Sequence, residues 1–147
     1  MPVVNCVRVA SIFINDEWGQ TLLTKRKTTD NYPFWSNVGG KLDPNESPAD
    51  AVIREAFEES GVEVRKLSLL AKMVTDGPTP DAPVRLLYIF RADSWCGKPT
   101  NKEPDKCDEI GWFDFIALPA PVMPSIRAIR EAGGTLWGAV RGLNKHP

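Results

Sequence analysis

The stretch from Gly40 to Val62, GKLDPNESPADAVIREAFEESGV, contains the clearest helix signal in the chain and most of its chemistry. Ser47 is a favourable N-cap, and Pro48 suits the first helical turn because its missing N–H would have no partner there. Gly61 is a typical residue at the end of a helix. These signals predict a helix that begins after Ser47 and ends at Gly61.

Three glutamates of this predicted helix, Glu55, Glu58 and Glu59, are spaced i, i+3 and i+4 and therefore share one face. Like charges at this spacing repel one another, so a divalent cation would stabilise the face. Carboxylate oxygens suit Mg²⁺ or Mn²⁺, which leave coordination positions for phosphate and water. A solvated acidic face is the alternative. Ile53 and Phe57 lie roughly opposite and are predicted to pack against a sheet.

Two neighbouring features favour a metal site over a solvated face. Arg54 precedes Glu58 by four residues and can hold that carboxylate in one orientation, although a surface ion pair would look the same. Gly39 and Gly40 stand before the helix, where a backbone without side chains can approach a ligand closely. We expect this loop to present carbonyl groups to the metal that binds the acidic face.

The same stretch resembles the Nudix box, Gx5Ex7REUxEExGU, in which U is an aliphatic residue. All fixed and aliphatic positions are matched, by the following residues: Gly40, Glu46, Arg54, Glu55, Ala56, Glu58, Glu59, Gly61 and Val62. The resemblance implies an α+β fold, an α/β/α sandwich with a mixed β-sheet between helices. It also implies that water attacks a phosphorus of a nucleoside diphosphate derivative, with Mg²⁺ or Mn²⁺ as the cofactor.

The resemblance also implies roles for individual residues. Glu55, Glu58 and Glu59 correspond to the core metal ligands, the Gly40 carbonyl to a further ligand and Glu46 to a peripheral one. The predicted catalytic residues are Glu58, Glu55, Arg54 and Glu103. Which glutamate acts as the general base stays open.

A second stretch, Glu103 to Pro119, EPDKCDEIGWFDFIALP, resembles the late segment of MutT-like nucleoside triphosphate diphosphatases. In that branch an acidic residue of the loop often joins the metal site. Glu103 and Glu109 are therefore candidates for an extra ligand or base, and ordinary loop carboxylates are the alternative for both.

Four residues are candidates for contact with a substrate. Arg26 and Lys41 carry positive charges that would complement phosphate, unless they are solvated surface charges. Trp35 and Asn37 precede the glycines, where a ring can stack on a base and an amide can bond to it. For Trp35 a place in the core is the alternative.

The resemblance favours Mg²⁺-dependent hydrolysis of standard or oxidised (deoxy)nucleoside triphosphates to a monophosphate and pyrophosphate. Other Nudix substrates are the alternative, namely a nucleotide sugar, a dinucleoside polyphosphate or NADH. A non-catalytic nucleotide-binding module is a third reading, although such modules tend to lose box glutamates. The preferred base and sugar are left open.

Composition sets the remaining expectations. With 147 residues the chain is predicted to be one domain, 1–147, in which residues 135–147 stay unassigned. The 18 basic and 19 acidic residues nearly cancel, so no binding to DNA or RNA is expected. Since no apolar stretch reaches bilayer length, we expect no membrane partner and a cytoplasmic location. The three cysteines are predicted to be reduced and mostly buried. A homodimer is left open.

Apolar runs between turn signals predict the rest of the secondary structure. A hairpin is expected from Val3–Ile14 and Thr21–Thr24. Further predicted elements are an apolar stretch at Phe34–Val38, strands at Val62–Val74, Val84–Ala92 and Glu109–Phe115, and a helix at Pro124–Ala132.

Overall fold

The computed structural model of the chain describes residues 6–27, 34–76 and 80–142. These ranges contain strands β1 (Cys6–Phe13), β2 (Gln20–Arg26), β3 (Trp35–Ser36), β4 (Val38–Lys41), β5 (Glu63–Thr75), β6 (Val84–Cys96) and β7 (Cys107–Asp114). They also contain helices α1 (Pro48–Ser60), α2 (Pro124–Ala132) and α3 (Gly134–Arg141). None of these helices is both long and apolar enough to cross a bilayer.

The described strands form two sheets. The larger sheet has the order β4-β1-β6-β5, with β1 and β6 parallel and the other neighbours antiparallel. The smaller sheet has the order β3-β2-β7 and is antiparallel. Helix α1 contacts β4, β1 and β5, whereas α3 contacts α2 and β5. The α+β prediction, a mixed sheet packed with helices, is confirmed.

Two apolar clusters hold these elements together. One joins α1 to the larger sheet and includes Val52, Ala56 and Val62, which are fully buried. The other joins α2 and α3 to the sheets, through Ile126 and Val140 among others. Burial of side chains of this size stabilises the fold by about 1.5–3 kcal/mol for each large aliphatic residue. The Nudix-box helix is therefore fixed by its own core.

The predicted hairpin forms only at its turn. Asn15 pairs with Thr21, and the Leu22 N–H donates to the Ile14 carbonyl over 2.9 Å. Beyond these contacts β1 enters the larger sheet and β2 the smaller one, so the predicted continuous strand pair is wrong. The reason is that β4 and β6 already pair with both edges of β1. Val3 to Asn5 lie outside the described residues.

Other boundaries also differ from the sequence expectations. Strand β6 continues to Cys96, past the predicted end at Ala92, because it pairs with β5 as far as Glu63. Helix α3 occupies part of the tail that was left unassigned. The cysteines are free, but only Cys107 is buried, so the prediction of mostly buried thiols is wrong: Cys6 is exposed.

Gly39 offers a test of how tightly β4 lies against β1. A Cβ at this position would come within 2.2 Å of the Ala10 carbonyl oxygen and 2.7 Å of the Ser11 Cα, both backbone atoms. We expect Gly39→Ala to lower the free energy of unfolding by about 1–3 kcal/mol, since the strands must move apart. Urea denaturation followed by circular dichroism measures the change.

Gly111→Ala on β7 is the matched control, because its new Cβ would make only an ordinary 3.4 Å contact with the Phe113 ring. Its free energy of unfolding should stay within about 1 kcal/mol of the parent value. Equal losses in the two variants would argue against the close approach at Gly39.

Candidate functional site

The ends of α1 are set by the residues that the sequence indicates. The Ser47 hydroxyl oxygen accepts a hydrogen bond of 3.1 Å from the Asp50 N–H, and Pro48 stands in the first turn. At the other end Gly61 adopts the left-handed conformation with φ 77°, and its N–H donates to the Phe57 carbonyl over 2.9 Å. The predicted helix and both of its caps are confirmed.

The buried face of α1 differs from the expected one. Phe57 is 53% exposed, so the prediction that it packs against the sheet is wrong, whereas Ile53 packs against the core as predicted. The stripe that meets the sheet follows Val52, Ala56 and Glu59, spaced i, i+4 and i+7. Glu59 is therefore buried together with the apolar residues of its own stripe.

Glu59 lies where α1 meets β4, and only 9% of it is exposed. Its Oε2 accepts a hydrogen bond of 2.9 Å from the Gly39 N–H, and its Oε1 lies 3.9 Å from Nη2 of Arg26. Burial raises the pKa of the Glu59 carboxyl to about 7, although the Gly39 N–H and the Arg26 charge act in the opposite direction. A carboxylate is thus held beside a cation in a poorly solvated position.

Gly40 allows the neighbouring carboxylate to come equally close. A Cβ on Gly40 would lie 2.6 Å from the carboxyl carbon and from Oε1 of Glu55, so a side chain there would displace that group. Partial burial raises the pKa of Glu55, while Arg54 opposes the shift. Residues 39 and 40 thus bring the backbone of β4 against two glutamates of the helix.

Arg54 joins the carboxylates to one another. Its guanidinium donates to Glu46 over 2.8 and 2.9 Å, to Glu55 over 3.1 Å and to Glu58 over 3.2 Å. Its hydrogen bonds lower the pKa of Glu46 to about 2, and the Glu46 carboxylate in turn raises the pKa of Arg54. The predicted contact between Arg54 and Glu58 is present, but the two hydrogen bonds from Arg54 to Glu46 are shorter than the bond to Glu58.

The glutamates have the chemistry of a magnesium site, but they are not gathered around one point. Within residues 6–27, 34–76 and 80–142, no three His, Cys, Asp or Glu side chains converge as ligands of one ion. Arg54 balances Glu46, Glu55 and Glu58, whereas Glu59 turns to the Gly39 N–H. Hard oxygen donors on a rigid helix, next to the two glycines of β4, nevertheless fit Mg²⁺.

A small pocket beside Glu59 contains the second acidic residue that the sequence indicates. It is lined by Thr24, Arg26, Glu59, Glu103, Lys106 and Cys107. Of the two loop candidates, Glu103 faces this pocket, with its Oε2 3.7 Å from Lys106 Nζ, whereas Glu109 is exposed on β7. The structure therefore brings Arg26 and Glu103 to the box helix.

The loop that carries Glu103 is attached to the end of α1. The Thr100 N–H donates to the Ser60 carbonyl over 3.0 Å, and the Lys102 N–H donates to the Glu59 carbonyl over 3.2 Å. These bonds satisfy two of the last carbonyls of the helix, which have no partner within it. The position of Glu103 thus follows the end of the helix.

Asn101 holds the loop of Glu103 in place, and sequence reasoning missed it. Its Nδ2 donates to the Cys107 carbonyl over 2.8 Å, and its Oδ1 accepts from the Glu103 N–H over 3.2 Å. The side chain therefore closes the loop around Glu103. The only local signal was an asparagine two residues before the glutamate, which is typical of a loop that bonds to its own backbone.

The predicted substrate residues occupy different surroundings. Trp35 is only 8% exposed and packs edge-on against Phe113, with ring centroids 4.8 Å apart. Asn37 is 6% exposed, and its Nδ2 is fully buried without a hydrogen-bond partner. Lys41 is exposed at the end of β4. Trp35 and Asn37 are thus both buried, and the substrate roles of all four residues stay predictions.

With this arrangement in place, comparison with known proteins identifies the family. A family model of the NUDIX domain matches residues 6–132. The chain belongs to the Nudix family. It is a Nudix pyrophosphohydrolase. The intact Nudix box and the relatives described in the next paragraph support this conclusion together.

Two relatives and one solved structure illustrate the similarity. An 8-oxo-dGTP diphosphatase of Haemophilus influenzae is 28% identical over 83% of this chain and 86% of that protein. The crystal structure of a MutT Nudix hydrolase from Burkholderia pseudomallei is 28% identical with a TM-score of 0.77, covering 84% of this chain and 95% of that one. The NAD-capped RNA hydrolase NudC of Chromobacterium violaceum is 32% identical over 78% of this chain but only 42% of that protein.

The buried carboxylate of Glu59 predicts how stability depends on pH in metal-free protein. An acid whose pKa rises on folding holds its proton more tightly in the folded state, so ionisation destabilises the fold as pH rises from about 4.5 to about 7. Glu59→Gln stays neutral and keeps an oxygen acceptor for the Gly39 N–H. When the pH is raised from 5 to 8, the free energy of unfolding of Glu59→Gln should therefore rise relative to that of the parent by on the order of 2 kcal/mol.

Urea denaturation in EDTA at the two pH values measures that difference. Glu63→Gln, at an exposed carboxylate on β5, is the control and should give the same small difference at both. A Glu59→Gln effect that does not change with pH would mean that Glu59 is not an ionising buried acid.

Proposed function

We propose that the chain hydrolyses (deoxy)nucleoside triphosphates, with 8-oxo-dGTP among them, to the monophosphate and pyrophosphate in a Mg²⁺-dependent reaction. The observation that carries the proposal is that a box glutamate lies beside a cation. Glu59, which accepts a hydrogen bond from the Gly39 N–H, lies 3.9 Å from the Arg26 guanidinium. Carboxylates suit the metal and a guanidinium suits the phosphates. Support for the substrate comes from the relatives named for 8-oxo-dGTP.

The metal ligands in this proposal are Glu55, Glu58 and Glu59, with the Gly40 carbonyl and Glu46 as further candidates. Bound Mg²⁺ or Mn²⁺ would neutralise phosphate charge and favour ionisation of the attacking water. Gly40 contributes by having no side chain, since a Cβ would displace the Glu55 carboxylate. The assignment rests on oxygen donors that one short segment brings to the same edge of the larger sheet.

Arg54 is proposed to act through the carboxylates rather than on the substrate. It donates to Glu55 and Glu58 from one nitrogen, Nη1, and thereby restricts both side chains while Glu46 holds the guanidinium itself. This is the role of a positioning residue, because it reduces the reorganisation that binding requires. Glu46 supports the same geometry by accepting from the Asp43 N–H over 2.9 Å.

Arg26 and Lys41 are proposed to bind phosphate. Arg26 is half exposed, so its guanidinium can turn from Glu59 to an incoming anion without a large desolvation cost.

Glu58 is also half exposed, and Glu103 lies in the pocket beside Glu59. Proton removal from water is assigned to this group of carboxylates. Glu58 and Glu103 remain better placed than Glu59, whose Oε2 already accepts from Gly39.

The wider setting of the reaction follows from the same proposal. We assign the activity to one domain that acts in the cytoplasm on small nucleotides. We expect no nucleic acid to bind, because the numbers of basic and acidic residues nearly cancel. A homodimer is compatible with this assignment. Hydrolysis of a capped RNA or of NADH is the second candidate, favoured by the 32% identity to NudC over part of that protein's length.

Product analysis tests the reaction and the substrate class together. With Mg²⁺ present, 8-oxo-dGTP and standard (d)NTPs should give a monophosphate and pyrophosphate, and EDTA should abolish both products. Chromatography of a panel that also includes nucleotide sugars, a dinucleoside polyphosphate and NADH measures the preference. Release of orthophosphate as the first product would contradict the mechanism, whereas cleavage of NADH alone would contradict the substrate class.

Substitution of one box glutamate, Glu58, and of Glu103 tests the site. Glu58→Gln and Glu103→Gln should each lower kcat, the first on the order of 100-fold or more, because each removes a charge while keeping the side-chain volume. Neither should lower the melting temperature by more than a few degrees, since both residues are partly exposed. Initial-rate kinetics at several Mg²⁺ concentrations measure the loss.

The matched control is Glu131→Gln, at an exposed glutamate on α2, which should keep the parent kcat. Parent-like turnover by Glu58→Gln at limiting Mg²⁺ would remove Glu58 from the site. A loss in Glu58→Gln alone would exclude Glu103 and leave the rest of the assignment standing.

A further inference from the structure

A second cavity opens at the other end of β2 from the catalytic pocket. It is lined by Asp16, Glu17, Trp18, Gln20, Trp95 and Trp112, and its volume is about 370 Å³. That volume is within the range of small-molecule sites, which is about 300–1,000 Å³. Arg26 and Gln20 are the two ends of β2, so at ~3.3 Å per residue the cavity lies ~20 Å from the catalytic pocket.

Two walls of this cavity are tryptophan rings in fixed positions. Trp95 and Trp112 lie with ring centroids 5.8 Å apart at an interplanar angle of 31°, and both pack against the core beneath α1. The Trp95 indole N–H donates to the Asn15 carbonyl over 3.0 Å. Because this donor is used within the protein, a ligand can contact the ring only through its π-face or its C–H edge.

The third ring is held out from the protein by a well-bonded turn. Trp18 is 76% exposed, which is unusual for so large an apolar side chain. The Asp16 Oδ1 accepts from the Trp18 N–H over 3.0 Å and from the Gln20 N–H over 2.8 Å. Gly19, with φ 79°, completes the turn. An ordered turn therefore presents Trp18 beside the other two rings.

Charge decides which class of ligand suits these rings. Asp16 and Glu17 are among the lining residues, and no lysine or arginine is among the described residues that line the cavity. Nucleotides and other anions would be repelled. A metal ion would need converging oxygen ligands instead of ring faces. The negative faces of tryptophan rings attract organic cations, most of all quaternary ammonium groups, which shed water easily.

We propose that this cavity binds a quaternary ammonium group, with its methyl groups against Trp18, Trp95 and Trp112 and its charge balanced by Asp16 and Glu17. Such a site is separate from phosphate chemistry and does not depend on the proposed nucleotide substrate. The ligand class is that of choline and related trimethylammonium compounds.

A titration with choline tests the proposal, followed by NMR of the tryptophan indole N–H groups in ¹⁵N-labelled protein. The signals of Trp18, Trp95 and Trp112 should shift with saturation, whereas those of Trp35 and Trp137 should not. The neutral isostere 3,3-dimethyl-1-butanol has the same shape without the charge and should bind at least roughly 3-fold more weakly, as the loss of cation–π attraction implies. Equal binding of the two compounds would overturn the proposal.

Variants show where choline binds. Trp18→Ala and Glu17→Gln alter exposed turn residues and should weaken choline binding without lowering the melting temperature by more than a few degrees. Trp137→Phe, on α3, should bind choline like the parent. Saturable shifts that survive Trp18→Ala unchanged, or shifts at all indoles alike, would contradict this site. Choline should leave nucleotide hydrolysis unchanged, and competition with the nucleotide would place the cation in the catalytic pocket instead.

Discussion

The contact between β4 and α1 is the constraint on which the rest of the site depends. Gly39 donates its N–H to Glu59, and Gly40 lets the Glu55 carboxylate pack directly on the strand. A Cβ on Gly40 would meet the Glu55 carboxylate at 2.6 Å, so α1 could not lie as close to β4, whereas a Cβ on Gly39 would push β4 away from β1. The acidic face of α1 is thereby placed against the backbone of β4.

Electrostatics around Arg54 explain how several carboxylates coexist in so small a space. One guanidinium, itself about a quarter exposed, bonds to Glu46, Glu55 and Glu58, which offsets repulsion that would otherwise destabilise the helix. Glu59 is outside this network and relies on Gly39 and on Arg26 from β2. The site therefore combines a balanced group of charges with one carboxyl group, that of Glu59, whose pKa is raised to about 7 by burial.

Strand β2 connects two surfaces of opposite character. At Arg26 the lining includes basic groups beside Glu59 and Glu103, which suits a phosphate with its metal. At the other end the turn after β1 places Trp18 and two carboxylates beside the tilted rings of Trp95 and Trp112, which suits an organic cation. Trp95 and Trp112 pack against the core beneath α1, which also holds the box helix in place.

The sequence by itself determined the features that arise within a few residues: the caps of α1, the shared face of the glutamates, the α+β class and the family. Those signals are local, because a cap or an i, i+4 pair is complete within one or two turns of helix. The tertiary structure alone decided that Glu59 is buried and Phe57 exposed, that β1 and β2 enter different sheets, and that Glu103 rather than Glu109 faces the pocket. Each of these features depends on which distant element packs against a given face or pairs with a given strand edge. A single segment of sequence does not contain that information.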